Sequence, residues 1–393
     1  MHTESEHRRS RNGFDCSRLE NTTMVPAPTA ADDRRPSTSA KMARSTLVAA
    51  QPRTSSTSTQ ASTCRVEIIR QALSSEGVPS NVSDTILSSW RQNTNKQFEC
   101  AWRCWCSWCS KRKTDPVQAT VADLLTFLQE LMEKGLQYRT LNVYRSAISS
   151  AHHFVDGKPI GQHHLVSRFF KGVFNLRPPK PRYNTTWDVS VVLRYLNTLP
   201  DNRRLSVKQL SLKLAMLIAL VTAGRCSSLI ALDISSFRKE RDGDYVFCLE
   251  QLSKCASIQN PYREVTLHKY SGNRKLCVVR TLEEYIERTT SRRGSGNEKI
   301  TQLFISYGKP YHPVVSSTIA RWLKCIMAEA GSDTSCFKAH STRGASASAA
   351  KRAGATMSDI LKTADWSSSR TFAAFYCRNT DSSDYDRRVL ASA

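Results

Sequence analysis

The stretch RPPKPRY at residues 177–183 constrains the whole chain. Each proline fixes φ, lacks an N–H and pushes the residue before it out of the helical region, so no helix runs through Pro178, Pro179 and Pro181. On both sides of it apolar residues recur at helical spacing. The segment 177–186 therefore reads as an extended basic linker between two bodies, and 393 residues suit two cores and a tail better than one.

Upstream, residues 1–62 are rich in Ser, Thr, Ala, Pro and Arg, with too little apolar patterning to offset the entropy of ordering, and read as a disordered tail. Residues 63–176 read as a helical domain. VADLLTFLQELMEKG sets Val121, Leu124, Leu125, Leu128 and Leu131 on one face and stops at Gly135, a residue suited to ending a helix; TLNVYRSAISSAHHF repeats the pattern. Residues 187–380 read as a second domain. Helices are expected at about 187–198 and 206–222, strands in DYVFCLEQL and REVTLHKY around the turn segment SKCASIQNP, and helices to the end. The tail 381–393 either forms a short helix through Tyr385, Val389 and Leu390 or frays. The expected class is mainly α, with an α+β second domain holding a small antiparallel sheet.

Lys and Arg number 57 against 34 Asp and Glu, a formal charge of +23. Nine of the basic and six of the acidic residues fall in residues 1–60, leaving 48 against 28 in the rest, so the excess belongs to the folded part. Such a balance calls for a polyanionic partner, nucleic acid first. The longest apolar run, LAMLIALV at 214–221, is far short of the roughly 20 residues that span a bilayer. The start MHTESEHRRSR has no apolar h-region, so neither export nor membrane insertion is expected. Thirteen irregularly spaced cysteines then read as reduced, mostly buried thiols.

CAWRCWCSWC at 100–109 invites a metal or redox reading through Cys100, Cys104, Cys106 and Cys109. On one helix, however, positions 106 and 109 point away from the face shared by 100 and 104, so four thiolates cannot converge on one ion. Phe98, Trp102, Trp105 and Cys109 instead form a stripe at spacings of four, three and four, the pattern of a core face. No metal site is expected. His152, His153, His163 and His164 flank a Gly/Pro turn without a carboxylate or thiol beside them and read as solvated or DNA-facing.

Chemistry gathers elsewhere. HSTRGASASAA at 340–350 places His340 and Arg343 one turn apart near a helix start, where free N–H groups also favour an anion, and follows them with small residues that let another backbone approach. In DWSSSRTFAAFY at 365–376, Ser367 or Ser368 caps a short helix in which Phe372 and Phe375 are buried and Tyr376 lies one turn past Phe372. LVTAGRCSSLIALD at 220–233 breaks an apolar helix at Ala-Gly and puts Arg225 just past the break, with no acid nearby to pair it. Taken singly, these have plain structural readings: a surface salt-bridge partner for the His340–Arg343 pair, and a third core aromatic for Tyr376.

In this order the residues resemble the tyrosine recombinase (phage integrase) family, and within it the recombinases of DIRS-type and Ngaro-type eukaryotic retroelements, which look like HSTRGASASAA, DWSSSRTFAAFY, LFISYGKPY and RWLKCIMAEAG here. The resemblance covers roughly residues 80–380: a helical core-binding domain, then a catalytic domain. It implies Arg225 and Arg343 as a phosphate clamp, His340 and the Trp366 indole as further donors, His340 as a candidate base, and Tyr376 as the nucleophile. It implies a hairpin lysine as general acid, best matched by Lys254, with Lys269 the weaker alternative. Planar, permanently charged guanidinium groups suit the extra charge of a phosphorane-like state. The 3′-phosphotyrosyl link conserves bond energy, so no cofactor or metal is implied.

The partners implied are double-stranded DNA gripped between the two domains, a homo-tetramer on paired sites, other retroelement-encoded proteins, and a nuclear location. The 381–393 segment docks on a neighbouring protomer in such a scheme. Departures are Ser228 where the family has an acid, Gly344 where it has a second histidine, Trp366 in place of histidine, and a ten-residue step from Trp366 to Tyr376. The competing readings are a type IB topoisomerase-like relaxation activity and a catalytically inactive DNA-binding relic.

Overall fold

The computed structural model describes residues 64–180, 183–249, 256, 258, 262–296 and 299–378. The expected disordered tail, Lys254 and the 381–393 segment lie outside these residues. The chain divides after Lys180 into two compact units. Arg177 to Lys180 are non-helical, as three prolines require.

The first unit consists of α1 (Arg65–Ser75), α2 (Ser80–Leu87), α3 (Gln92–Lys111), α4 (Val121–Glu133), α5 (Tyr138–Ser149), a minimal hairpin of β1 (Phe154–Val155) and β2 (Lys158–Pro159), and α6 (His164–Leu176). Local chemistry sets several ends. Thr120 Oγ1 accepts from the Asp123 N–H at 3.1 Å while Asp123 accepts from the Thr120 N–H at 2.9 Å, a reciprocal cap that starts α4. Gly135, at φ +88°, takes the left-handed turn that ends it.

The stripe on α3 is a core face as expected: Phe98, Trp102, Trp105 and Cys109 are at most 1% exposed, with Trp108 added to them. Trp105 stacks on Trp108 at 5.3 Å, and both meet Phe127 of α4 edge-on. Burial pushes the Cys109 thiol up to about 12, so at neutral pH it is a protonated core residue. Cys100 and Cys104 lie exposed on the other side. His152 corrects the reading of the histidines as solvated. It is 6% exposed, with ring nitrogens 2.7 Å from the His153 carbonyl oxygen and 2.8 Å from that of Ala119. His163 Nδ1 accepts from the Leu165 N–H and so caps α6.

The second unit contains α7 (Val189–Thr198), α8 (Val207–Val221), α9 (Cys226–Ile230), β3 (Phe237–Lys239), β4 (Tyr245–Leu249), β5 (Arg263–Leu267), α10 (Val278–Thr289), α11 (Ser316–Glu329), α12 (Ser341–Arg352), α13 (Met357–Ala364) and α14 (Ser369–Phe375). Its axis is α8, buried on every side from Leu210 to Leu220, with the Lys213 ammonium donating to Asn202 Oδ1 at 2.9 Å inside that cover. Packed on it are α10, α11 and α12.

The strands form one antiparallel sheet in the order β3-β4-β5. Leu249 pairs with Arg263 and Tyr245 with Leu267. The class is the expected one, mainly α with a small antiparallel sheet. The strand β3 was not anticipated, because FRK carries a weak strand pattern and is held only by its partner β4.

Candidate active site

Two breaks in regular structure shape the site. At the first, α8 ends at Val221, Ala223 turns left-handed at φ +44°, and Arg225 caps α9. Gly224 is required here: a Cβ would stand 2.7 Å from Thr222 Oγ1 and 2.9 Å from Leu229 Cδ1. At the second, α13 ends and Asp365 turns left-handed at φ +52°, delivering Trp366.

The small-residue helix α12 lies where these breaks meet. Trp187 Nε1 donates to Ser341 Oγ at 3.0 Å and fixes its start, and Ser346 Oγ donates to the Leu220 carbonyl of α8. Arg343 is 1% exposed; its Nη1 donates to the Ala223 carbonyl at 2.8 Å and its Nη2 to the Ala364 carbonyl, so it joins both breaks. Its guanidinium lies 4.4 Å from the centre of the Trp366 ring and 5.8 Å from that of Tyr376.

Tyr376 follows α14, which Ser368 caps by accepting from the Arg370 N–H at 3.2 Å. Its backbone is held to α12 through Ser348, whose Oγ donates to the Tyr376 carbonyl at 2.8 Å and accepts from the Arg378 N–H at 3.1 Å. The phenol oxygen lies 3.5 Å from His340 Nε2, close enough for a proton to pass once the pair tightens, and the phenol ring leans on Trp366 at 4.6 Å. His340 is exposed at the start of α12, while Tyr376 is half-buried. The expectation that Phe375 is buried is corrected. Phe372 faces Trp366 and is fully covered, but Phe375, in the last turn of a seven-residue helix, remains 41% exposed.

His340, Arg343, Trp366 and Tyr376 are thus brought together by direct contacts. Arg225 is linked to them through the turn at Asp365, its Nη1 lying 3.6 Å from Asp365 Oδ2. The missing nearby acid is therefore supplied from far along the chain. Trp366 Nε1 is buried and has no hydrogen-bond partner, so in this arrangement its N–H does not face open solvent.

The chain leaves β4 at Leu249 and re-enters at Arg263, the end of the sheet where Arg263 meets Asp365 at 3.7 Å. Lys254 falls within that connection, outside the described residues. Lys269 is not on the strand: it is exposed beyond Leu267, at the opposite end of β5 from Arg263.

Sequence reasoning missed Asp365, Arg263 and Ser348. A signal existed for the first, since an arginine as covered as Arg225 requires an acid somewhere. Arg263 and Ser348 carry no such signal, because their partners are fixed only by the fold.

Residues 190–383 match the phage integrase family. No protein of curated function matches the chain in sequence. In structure the chain is similar to the XerH site-specific recombinase bound to palindromic difH substrate in a post-cleavage complex. The TM-score is 0.52 at 15% identity, over 76% of this chain and 78% of that one. It is similar also to the Tn1549 transposon integrase in complex with transposon right end DNA, with a TM-score of 0.51 at 14% identity, over 84% of this chain and 99% of that one. At these identities the likeness is one of fold. The matched stretch begins one residue into α7 and contains Arg225, Arg263, His340, Arg343, Asp365, Trp366 and Tyr376.

Proposed function

We propose that this chain cleaves and rejoins DNA strands through a 3′-phosphotyrosyl intermediate on Tyr376, as a site-specific recombinase that integrates a mobile element. One observation carries the reading: within the stretch that matches the phage integrase family, a tyrosine hydroxyl stands 3.5 Å from a histidine nitrogen, its ring beside a buried arginine.

In this reading Arg225 and Arg343 hold the nonbridging oxygens of the scissile phosphate, where negative charge grows during attack. His340 takes the phenol proton as the Tyr376 oxygen bonds to phosphorus and the 5′-oxygen of the next nucleotide departs. That oxygen needs a proton, which Lys254 supplies. Trp366 acts mainly by supporting Tyr376 and Arg343 with its ring, given that its N–H is covered. Reversal by the 5′-hydroxyl of another strand rejoins DNA without an external energy source.

The basic excess supplies phosphate contacts from both domains, core-binding (63–176) and catalytic (187–380), on either side of the linker 177–186, and makes binding steeply salt-dependent. The finer assignments are a DIRS-type or Ngaro-type retroelement origin, a nuclear location, and a homo-tetramer on paired sites working with other element-encoded proteins. They rest on the sequence resemblance.

The test uses the full chain with a pool of random-sequence nicked duplexes in EDTA. A detergent-resistant protein–DNA adduct is expected, and Tyr376→Phe abolishes it while leaving DNA retention unchanged. DNA bound without an adduct would point to a DNA-binding relic. Relaxation of supercoils without joining between duplexes would point to topoisomerase-like action.

A further inference from the structure

Three guanidinium groups from three separate elements reach one turn, Thr363–Trp366. Arg343, from α12, donates to the Ala364 carbonyl; Arg263, from β5, donates through Nη2 to the Thr363 carbonyl at 2.9 Å. Arg225 and Arg263 both approach Asp365 Oδ2, at 3.6 Å and 3.7 Å. The Asp365 side chain is 11% exposed, and its Oδ2 is buried without a hydrogen bond, so the two guanidinium groups are what balance its charge. Burying a carboxylate this far is costly unless cationic partners stand against it.

The arrangement answers two problems at once. An arginine that must meet a phosphate has to be held in one orientation, and within its own helix Arg225 has only Ser228 one turn along, not an acid. A carboxylate can hold it, but one carboxylate on one arginine gives a neutral pair, which attracts a phosphate poorly. Arg263 removes that conflict. With Arg225 and Arg263 at Asp365 and Arg343 on the neighbouring Ala364 carbonyl, the cluster carries a net charge of two positive units, matching the two negative charges a phosphodiester carries once a fifth oxygen bonds to phosphorus. Arg263 also reaches Ser228 Oγ at 3.4 Å, so it occupies the position from which an acid at residue 228 would otherwise act.

We propose that Asp365 is the positioning carboxylate of the arginine clamp, and that Arg263 is the third guanidinium of that clamp, restoring the positive charge Asp365 cancels. This rests on the reading of the site as a phosphate-transfer centre. The left-handed backbone at Asp365 accepts asparagine as readily as aspartate, so Asp365→Asn removes charge without disturbing the turn.

The experiment compares the full-length wild type with Asp365→Asn, Arg263→Gln and the double variant Asp365→Asn/Ser228→Glu, using a nicked duplex selected from the random pool. Adduct formation at saturating DNA is expected to slow roughly tenfold to a hundredfold in each single variant, with DNA affinity changed less than about threefold, and the double variant recovers most of the rate. A wild-type rate for Asp365→Asn overturns the proposal. A second measurement needs no reaction: Arg225→Met and Asp365→Asn, alone and together, are followed by urea unfolding. Non-additive effects are expected, and strictly additive ones overturn the pairing whatever the adduct assay gives. A wild type that forms no adduct while the unfolding effects remain coupled removes the functional reading and leaves the pairing standing.

Discussion

Helices α3 and α12 carry the two most conspicuous stretches of the sequence, and they use side-chain size in opposite ways. On α3 the cysteines and tryptophans look like chemistry, yet the face that matters is bulk: Trp102 and Trp105 are completely covered, and Trp105 donates its N–H to the Pro116 carbonyl at 2.9 Å. On α12 nothing is large between Gly344 and Ala350, and that emptiness is the working feature. It lets the Tyr376 backbone settle on Ser348, and lets α8 come close enough for Ser346 to reach its last turn. Bulk holds a core together. Its absence lets a reacting group be placed by backbone contacts, which vary less than side-chain rotamers do.

Reversing each helix's use of size breaks the comparison most directly. Emptying α3 with Trp105→Ala removes a fully buried ring from between its two aromatic partners, Trp108 and Phe127, and leaves the Pro116 carbonyl without its indole donor. The first denaturant-induced transition should lose about 3–5 kcal/mol, with no effect on the adduct-forming rate of the molecules that remain folded. Filling α12 has the opposite signature. A Cβ at Gly344 would sit 3.5 Å from Tyr376 Cδ1 and 3.6 Å from its carbonyl oxygen, an ordinary contact, so Gly344→Ala should stabilise α12 by about 0.5–1 kcal/mol. Gly344→Leu extends atoms into the phenol ring, and should slow adduct formation by roughly a hundredfold while the unfolding transition moves little. Equal losses of rate and stability in Gly344→Leu would show that α12 is merely another core helix.

How much of this was legible depends on how far apart the cooperating residues lie. Helices α4, α7 and α8 were readable because periodicity and caps are local: Thr120 with Asp123, Asp188 with Ser190, Ser206 with Gln209. The break at Ala223-Gly224 was readable too, since one glycine had to lie there. His152 was not, because its ring is satisfied by the Ala119 carbonyl 33 positions earlier, and only the fold supplies that. The site residues themselves were legible as an ordered set through resemblance, whereas Asp365 and Arg263 gain meaning only once β5 and the end of α13 are adjacent. Phe375 failed for a simpler reason: a seven-residue helix has room to bury one ring on its packed side, and Phe372 takes that place.

The smallest expected effect tests the α3 half of the contrast within a single helix. Cys109 is buried against the tryptophans, and Cys106 is half-covered with its thiol pushed up to about 11 by burial; Cys100 and Cys104 are exposed. If these cysteines matter by burial rather than as a set of ligands, their substitutions must divide along that line. Cys109→Ser puts a hydroxyl where no partner waits and should cost about 1–3 kcal/mol, whereas Cys100→Ser with Cys104→Ser should stay within about 0.5 kcal/mol of wild type. Denaturant unfolding with and without EDTA separates the two cases, because a shared ion would make all four positions sensitive together and would make the chelator lower the midpoint of the wild type. The expected result is a chelator-independent midpoint and a cost that follows the burial of each sulfur.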